Sequence, residues 1–460
     1  MRFSDYAASR LLMPAYRKLK RNPSARYVRH VERVNAMSLE EIRAHQLGRL
    51  RAVATHAVQQ TDFYEDIFKR LGIRPETMTW EEFAELPVLT KKDIREHREA
   101  MTSRNMPRDR LRESATGGTT SSPVGFLTDW EAVHHRNSAT IAFNKWLGFL
   151  PGMQAAYLWG ARQDFEEETG LKQRLLNRML YRREMLFVEG FDDEAMQGYY
   201  ERLSRVSPVL LQAYSTPLFL FSGFLLDHGL RLSIPAVSST AEPLLPRQRE
   251  VVEEAFGVRV YDWYGAREAG RIATECSEHN GRHINAYGLH VETVDCGLEG
   301  GLGEILISDL WNIGTPMLRY AIKDVGRLEE IPCTCGCALP RLVEVVGRTA
   351  DTFINRAGRM MPSVVLTNRI LKDDRLIREM QVIQEDFDRF RIRVAPGEDF
   401  NNEEEARRTL SVWLDHFMEQ QNEIVLELVN SIPREASGKT VFCRRTFDPA
   451  PNGERVRKEP

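Results

Sequence analysis

The sequence has 460 residues, of which 42% are hydrophobic and 28% are charged, and its formal net charge is -3. This balanced charge excludes the strongly basic footprint of many nucleic-acid-binding proteins, and no apolar run approaches the roughly 20 residues that span a bilayer. The length exceeds what one hydrophobic core usually organises, so we predict two or more domains.

Residues 1–21, MRFSDYAASRLLMPAYRKLKR, combine basic and apolar side chains. The apolar stretch is short and no small-residue cleavage site follows it, which does not fit a secretory signal peptide. A basic amphipathic helix of this kind can lie on a membrane surface. More often such a helix packs against its own domain, and we predict that arrangement here.

Helices are predicted over residues 1–100, where SLEEIRAHQLGRLRAVATHAVQQ has a serine start signal and apolar residues at helical spacing. Short strands and helices are predicted to alternate over residues 136–310. The compact runs AAYLWG, VLLQAY, IPAVSS and VRVYDWYG are typical of buried strands. EPLLPRQREVVEEAFG, between the last two, has proline near its start and glycine after its end, as helices do. This alternation predicts a largely parallel sheet covered by helices.

The pattern changes near residue 347, where a strand (FRIRVAP), a helix (NNEEEARRTLSVWLDHFMEQQ), a strand (EIVLELV) and a polar loop (SIPREASGKT) follow. We predict two domains, residues 1–346 and residues 347–460, hinged around GRTADTF. The predicted fold class is α/β: a large N-terminal domain with mainly parallel sheets flanked by helices, plus a small mobile α+β C-terminal domain.

Residues 114–126, SATGGTTSSPVGF, are dense in glycine and hydroxyl side chains. Glycines let the backbone approach a ligand closely, and threonine and serine hydroxyls suit phosphate oxygens. The spacing is not GxxxxGK[ST] and lysine is absent, which argues against a Walker-type NTPase. A flexible turn is the alternative.

Three further segments carry candidate site residues. YDWYGAREAG follows a buried strand, where ligands of open α/β sheets gather. There Tyr264 suits stacking on a base and Glu268 suits Mg²⁺, although a strand end with a surface glutamate has the same pattern. In TPMLRYAIKDVG, Asp324 is placed to accept hydrogen bonds from ribose hydroxyls. Lys439 lies in ASGK, where a lysine is normally a solvated surface charge.

Together these motifs resemble the adenylate-forming superfamily of acyl-CoA synthetases, most closely its phenylacetate–CoA ligase-like branch. SATGGTTSSP is similar to the family's phosphate loop, SSTAEPL at residues 238–244 to its turn against adenine, and YGAREAG to its Tyr-Gly-x-x-Glu motif. LRYAIKD resembles the Arg-Tyr-…-Asp motif, GRTAD the hinge, and PREASGK the loop that delivers the adenylation lysine. The resemblance covers roughly residues 80–445.

The resemblance implies ATP-dependent activation of a small carboxylic acid as an acyl-adenylate, followed by transfer to a thiol, most simply that of CoA. An amine, a hydroxyl or a carrier-protein thiol as acceptor, in polysaccharide or natural-product biosynthesis, is the near alternative, and a non-catalytic nucleotide-binding scaffold is the distant one. Lys439 and Glu268 are the implied catalytic residues, with Mg²⁺ on Glu268. The implied ATP-binding residues are Thr116, Gly117, Gly118, Thr119, Thr120, Ser121, Ala241, Glu242, Pro243, Tyr264, Gly265, Ala266, Asp324 and Arg348.

Two departures from the family pattern affect these expectations. Ser121 and Ser122 stand where many relatives carry Gly-Lys, which weakens a phosphate contact. Ala350 precedes Asp351 where relatives usually have two acidic residues, which bears on how the C-terminal domain swings between half-reactions.

Cysteine and histidine residues form two groups about 50 residues apart, CSEHNGRH and PCTCGC. Soft ligands in this arrangement predict a tetrahedral structural zinc site, with reduced thiols as the alternative. The resemblance supports Cys276, His283, Cys333 and Cys335 as ligands, and Cys337 and His279 remain alternatives. Six cysteines in this length do not make a disulfide scaffold, so we expect a reducing, cytoplasmic setting.

The sequence does not indicate which carboxylic acid is the substrate or what the quaternary structure is. Trp159, Tyr214 and Trp263 suit an aromatic acyl pocket, but they suit a core equally well. A homodimer is one possible assembly. No nucleic-acid partner and no transmembrane segment are expected.

Overall fold

The computed structural model describes residues 2–115, 124–159, 176–187, 193–298, 300–348, 352–362, 377–397, 400, 402–433, 441–449 and 455–457. The predicted phosphate-loop residues Thr116, Gly117, Gly118, Thr119, Thr120 and Ser121 lie outside these ranges, as do Ala350, Asp351 and Lys439. Their assigned roles stay predictions.

The first hundred residues are helical, as predicted. The helices are α1 (Phe3–Ala7), a π-helical turn (Ala8–Leu12), α2 (Met13–Leu19), α3 (Ser24–Asn35), α4 (Leu39–Gln60), α5 (Asp62–Leu71), α6 (Trp80–Ala84) and α7 (Lys91–Glu96). Helix α4 begins at the predicted serine. The Ser38 side chain accepts a hydrogen bond from the Glu41 backbone N–H, and the Glu41 carboxylate accepts one from the Ser38 backbone N–H, which together form a capping box.

Strands and helices then alternate to build the parallel half of a large sheet. In chain order they are a 3₁₀ turn (Arg108–Arg110), β1 (Leu111–Ala115), β2 (Gly125–Asp129), α8 (Trp130–Trp146), β3 (Ala155–Trp159), a π-helical turn (Asn177–Tyr181), β4 (Arg183–Phe187), α9 (Asp193–Val206), β5 (Leu210–Tyr214), α10 (Ser215–Asp227), β6 (Ala236–Thr240), α11 (Pro246–Phe256) and β7 (Val260–Ala266). β1 and β2 form a separate antiparallel pair. β4, β3, β5, β6 and β7 lie side by side and pair in parallel, which confirms the predicted alternation for this region.

The other half of the sheet is antiparallel. It contains β8 (Gly270–Glu275), β9 (Arg282–Ile284), β10 (Leu289–Asp295), β11 (Gly303–Asp309), β12 (Tyr320–Glu329) and β13 (Arg341–Arg348). The strand order across all eleven strands is β10-β11-β12-β13-β9-β8-β7-β6-β5-β3-β4. The prediction of mainly parallel sheets is therefore wrong for this half, and the fold is α/β with one large mixed sheet. The reason is connection length: residues 267–269 join β7 to β8, whereas a parallel pair needs a crossover of a dozen or more residues.

The C-terminal region forms a smaller sheet with one long helix. Its elements are β14 (Thr352–Ile354), β15 (Met360–Pro362), β16 (Ile377–Asp386), β17 (Arg389–Pro396), α12 (Glu403–Met418), β18 (Glu423–Leu428), β19 (Cys443–Arg445), β20 (Phe447–Pro449) and β21 (Arg455–Arg457). The sheet order is β18-β17-β16-β19, and α12 starts at Asn402, whose side chain accepts from the Glu404 backbone N–H. This matches the predicted α+β unit. The boundary at 346/347 and the mobility of the unit stay predictions.

Separate apolar cores stabilise these parts. One packs α4 and α5 against the antiparallel strands, a second surrounds the parallel strands and α9 to α11, and a third lies inside the C-terminal unit. Among the described residues, no helix is both long and apolar enough to cross a membrane.

Candidate active site and cysteine cluster

The hairpin of β7 and β8 presents the predicted Tyr-Gly-x-x-Glu segment. A Cβ atom on Gly265 would lie 2.5 Å from the Gly270 carbonyl oxygen and 2.7 Å from the Trp263 ring, so any side chain there would displace backbone. Gly270 has φ +71°, in the left-handed region that favours glycine. Two glycines thus close the hairpin that carries Glu268.

Glu268 is a buried carboxylate. Its side chain accepts a hydrogen bond from the Tyr320 hydroxyl at 3.1 Å, and the residue is 6% exposed. Among the described residues, no lysine or arginine forms an ion pair with it. The surface-glutamate alternative is therefore wrong. Burying a carboxylate without a cationic partner is costly, and oxygen ligands of this kind suit a hard divalent cation, so the residue fits Mg²⁺.

Tyr264 and Asp324 join two of the predicted motifs. The Tyr264 hydroxyl donates to Asp324 Oδ2 at 2.5 Å, although the two residues are 60 positions apart. Asp324 also lies opposite Arg348 in the backbone register of β12 and β13. Tyr320, which contacts Glu268, begins the same strand as Asp324. The Glu268 and Asp324 motifs therefore meet along one strand of the sheet.

The predicted adenine turn follows β6 at the carboxyl ends of the parallel strands. Ala241 has φ +72°, which a non-glycine residue adopts at a cost and which often marks functional sites. Glu242 is buried and its carboxylate accepts from the Thr216 backbone N–H at 2.9 Å, at the start of α10. The Ser215 hydroxyl donates to the Glu242 carbonyl at 2.8 Å. Glu242 therefore fixes the turn that continues into Pro243.

Arg319 stabilises the structure next to this site. Its Nε donates to Glu292 Oε1 at 2.6 Å, and its Nη1 donates to the Leu86 carbonyl at 2.5 Å and to the Ala84 carbonyl. The Leu89 backbone N–H donates to the Arg319 carbonyl at 3.0 Å. The arginine of the predicted Arg-Tyr-…-Asp motif thus holds a preceding loop against the strand that carries Tyr320.

Cys276, His283, Cys333 and Cys335 converge. One ligand atom from each residue lies within 4.8 Å of the others, with the Cys276 and Cys333 sulfurs 3.8 Å apart and Cys335 Sγ 3.4 Å from His283 Nε2. His283 Nδ1 faces the Leu339 carbonyl at 3.3 Å, the kind of contact that orients a metal-binding imidazole through its other nitrogen. Three sulfurs and one nitrogen are a common ligand set of structural zinc sites.

Burial shifts the pKa values of His283 and Cys276 in the direction expected for enclosed groups. It lowers the pKa of His283 to about 4, so the ring is neutral and Nε2 is a competent ligand. It raises the pKa of the Cys276 thiol to about 12. Binding a metal here would release thiol protons, since cysteine coordinates as thiolate.

The two alternative ligands lie elsewhere. Cys337 Sγ donates to the Asn35 carbonyl at 3.4 Å, at the end of α3. His279 Nδ1 lies 3.0 Å from Glu275 Oε2, and its ring packs against Tyr261. The geometry therefore groups the four residues that the resemblance favoured, and occupancy by zinc stays a prediction.

Arg271 is a site-proximal residue that sequence reasoning missed. It follows Gly270 in β8, is buried, and lies 4.5 Å from the Trp263 ring centroid. Its Nη1 donates to Asn144 Oδ1 at 2.8 Å, and among the described residues it has no carboxylate partner. Burial lowers its pKa to about 9. Only its position directly after YGAREAG could have drawn attention to it, because an arginine in a strand usually indicates a solvent-facing side chain.

The aromatic residues proposed for an acyl pocket are partly together. The rings of Trp159 and Tyr214 lie 4.6 Å apart between centroids, at the ends of neighbouring parallel strands. Trp263 instead stacks with Arg271. The Tyr320 hydroxyl, which the sequence analysis did not single out, is the observed partner of Glu268.

Comparison with known proteins finds distant relatives along most of the chain. Residues 353–446 match the model of the CapK C-terminal domain. Protein CapK from Staphylococcus aureus is 24% identical over 393 residues, which cover 84% of this chain and 85% of CapK. Phenylacetate-coenzyme A ligase from Thermus thermophilus is 25% identical over 350 residues, covering 71% of this chain and 74% of the ligase. The chain is a distant CapK-like and phenylacetate–CoA ligase-like member of the adenylate-forming ligases.

The fold agrees with this membership. The crystal structure of 2-hydroxyisobutyryl-CoA ligase in the postadenylation state superposes with a TM-score of 0.69 at 19% identity, covering 88% of this chain and 90% of that ligase. At this identity the likeness establishes the adenylate-forming ligase fold. The prediction of an adenylate-forming enzyme of the phenylacetate–CoA ligase-like branch is confirmed at the level of the family.

Proposed function

We propose that this adenylate-forming ligase uses ATP and Mg²⁺ to convert a small carboxylic acid into an acyl-adenylate and then transfers the acyl group to CoA. The observation that carries the proposal is the buried Glu268 carboxylate, which lacks a basic partner among the described residues and lies in one site with Tyr264 and Asp324. The names of the phenylacetate–CoA ligase relatives support the choice of an acid and CoA as substrates.

In this proposal the chain binds and orients ATP through residues from several strand ends. Tyr264 packs on adenine beside the turn of Ala241, Glu242 and Pro243, and Asp324 accepts hydrogen bonds from ribose hydroxyls. Gly265 and Ala266 provide a close backbone approach, and Arg348 lies opposite Asp324 in the sheet. Glu268 would hold Mg²⁺, which when bound would neutralise phosphate charge.

The first half-reaction joins two anions. A carboxylate oxygen of the acid attacks the α-phosphorus, the bond to the β-phosphate oxygen breaks, and pyrophosphate leaves. In the proposal Lys439 bridges the carboxylate and the α-phosphate as charge redistributes, while residues 116–121 contact the leaving phosphates. In the second half-reaction the CoA sulfur attacks the acyl carbonyl carbon, AMP leaves, and the thiol proton passes to solvent.

The four clustered ligands have a separate role in the proposal. Cys276, His283, Cys333 and Cys335 would hold a structural zinc ion, which when bound would cross-link the loop after β8 to the segment before β13. Four protein ligands complete a tetrahedral site and leave no position for substrate. The ion would therefore brace the wall behind the Glu268 hairpin without entering the chemistry.

Acid-dependent pyrophosphate release tests the proposal. Purified protein is given ATP and Mg²⁺ with a panel of aryl and aliphatic acids, with and without CoA, and products are read by mass spectrometry. Each monocarboxylic acid is paired with an analogue bearing a second anionic group. Arg271 is buried beside the hairpin without a carboxylate partner among the described residues, and the paired acids test whether its guanidinium group binds that second anion. We expect release with at least one acid and an acyl-CoA product. Release with every acid of the panel at the acid-free rate would contradict adenylation, and acyl-adenylate that accumulates unchanged with CoA would move the acceptor to an amine, a hydroxyl or a carrier protein.

A further inference from the structure

The helical segment of residues 3–19, here called the basic helix, packs on the rest of the protein through its small and polar residues. Asp5, Ala8, Ser9 and Met13 are its buried members. Asp5 Oδ1 accepts from Arg182 Nη1 at 2.8 Å and from the Gln154 backbone N–H at 3.0 Å. This confirms the prediction that the helix contacts its own domain.

The contact is close enough to depend on a glycine. A Cβ atom on Gly152 would lie 2.8 Å from the Ala8 carbonyl oxygen, and Gly152 has φ +96°. The buried ion pair of Asp5 and Arg182 and this close backbone approach fix the orientation of the helix. Most of its remaining side chains are exposed, whereas Ala7, Tyr16 and Arg17 are half-buried.

Those outward side chains include large apolar groups. Phe3 is 85% exposed, Leu19 80%, Leu11 61%, Leu12 53% and Tyr6 49%. Met179, 63% exposed, lies on the neighbouring π-helical turn, which packs against the basic helix. These six residues are half of the twelve large hydrophobic side chains that are exposed in the described part of the chain. Exposed apolar surface concentrated in this way marks an interaction site.

Basic side chains accompany the apolar ones. Arg10 and Lys18 of the basic helix and the flanking Arg2, Lys20 and Arg21 are all exposed, and none forms an ion pair within the described residues. Asp5 is the single acidic residue between positions 2 and 21, and Arg182 neutralises it. The outward surface of the basic helix is therefore apolar and positively charged at once.

We propose that the basic helix docks this protein on an anionic lipid surface. Its leucine, phenylalanine and tyrosine side chains would enter the headgroup region, and its arginine and lysine side chains would contact lipid phosphates. A second copy of the chain is a poorer occupant, because a two-fold contact would place the same unpaired cations against each other. The docking surface is independent of the proposed ligase chemistry.

Vesicle sedimentation tests this docking. Wild-type protein is spun with phosphatidylcholine vesicles and with vesicles that also contain phosphatidylglycerol, at low and at high salt. We expect co-sedimentation with the anionic vesicles that weakens at high salt, since the attraction is screened. Leu11→Ser/Leu12→Ser should abolish it, and Lys18→Gln/Lys20→Gln should weaken it by about five-fold per charge removed.

Matched control variants remove similar side chains elsewhere. Ile331→Ser and Val412→Ser delete exposed apolar groups, and Lys92→Gln deletes an exposed cation, at positions outside the basic helix. These variants should sediment like wild type, and all variants should keep the wild-type melting temperature. Wild-type protein that stays in the supernatant with anionic vesicles would overturn the proposal, even if an acidic protein binds it. Basic-helix variants that sediment like the controls would overturn it as well. A wild-type dimer that Leu11→Ser/Leu12→Ser converts to a monomer, without vesicle binding, would identify the surface as an interface between copies.

Discussion

Glu268 and the cysteine cluster lie at the two ends of one strand, and they differ in what each needs from outside the chain. Glu268 precedes β8, is buried, and has a neutral phenol as its described partner. Cys276 follows β8 and meets three further ligand side chains of the same chain. In the proposed function the first site is completed by a cation and substrate, whereas the second brings together four protein side chains that can bind a metal. This difference assigns a catalytic role to the Glu268 site and a structural role to the cysteine cluster. It predicts that substitutions at the first affect rate and substitutions at the second affect stability.

The largest effect on rate should come from Lys439→Ala. Loss of one preorganised contact at the reacting phosphate typically costs about 100- to 1000-fold. Acid-dependent pyrophosphate release should fall by that factor while ATP still binds and the melting temperature stays unchanged. As an internal control, thioester formation from synthetic acyl-adenylate and CoA should suffer less. Wild-type pyrophosphate release from the variant would remove Lys439 from the mechanism.

Cys333→Ser should lower stability, because Cys333 belongs to the cysteine cluster. Purified wild-type protein should contain about one zinc ion per chain, and the variant should lose zinc and melt roughly 5 °C or more below wild type, because metal affinity is linked to folding. The loss should be the same with and without substrates. Cys337→Ser is the matched control, since Cys337 bonds to Asn35 outside the cluster and its replacement should leave the zinc content unchanged. Metal-free wild-type protein of full thermal stability would reject the structural-zinc proposal.

Asp324→Ala should weaken ATP binding. Lost hydrogen bonds to ribose hydroxyls are worth about 1 to 3 kcal/mol, or about 5- to 150-fold in the dissociation constant. The rate at saturating ATP should change less than the affinity, and Asp295→Ala, at an exposed strand end, should change neither. Calorimetric titration of ATP measures the effect. An ATP dissociation constant equal to that of wild type would contradict the assignment of Asp324.

Tyr320→Phe should give the smallest change. It removes the hydroxyl that donates to Glu268 and keeps the buried ring, at a cost of about 0.5 to 1.5 kcal/mol. The Mg²⁺ concentration for half-maximal pyrophosphate release should shift by a factor of roughly 2 to 10. Zinc content should not change. A variant that loses zinc but keeps its Mg²⁺ dependence would show that the two sites are not separable in this way.

The parallel half of the sheet could be predicted from sequence because its strands are compact apolar runs. AAYLWG forms the strand Ala155–Trp159 and VLLQAY forms Leu210–Tyr214, and the residues of both strands are buried or half-buried. The antiparallel half could not, since a strand such as Tyr320–Glu329 interrupts its apolar residues with the adjacent charged pair Lys323 and Asp324. Polar residues placed in a strand for binding weaken the apolar pattern by which strands are found.

Site residues were predicted from motifs, but their contacts were not. Tyr264 and Asp324 are 60 positions apart, and Tyr320 and Glu268 are 52 apart, so only the folded sheet brings each pair together. The choice among cysteine and histidine ligands was open for the same reason. Spacing treats Cys335 and Cys337 alike, whereas the turn at Gly336 directs Cys337 toward Asn35.

The Mg²⁺ dependence of Glu268→Gln tests the central claim most directly. The substitution keeps the shape of the side chain and its contact with Tyr320 but removes the charge, and a neutral amide is a poorer ligand for a hard cation. Acid-dependent pyrophosphate release is titrated with Mg²⁺ for wild type, Glu268→Gln and the exposed control Glu254→Gln. We predict a higher Mg²⁺ requirement and slower release for Glu268→Gln alone, with unchanged zinc content and melting temperature. A Glu268→Gln titration that overlays those of wild type and Glu254→Gln would contradict the account.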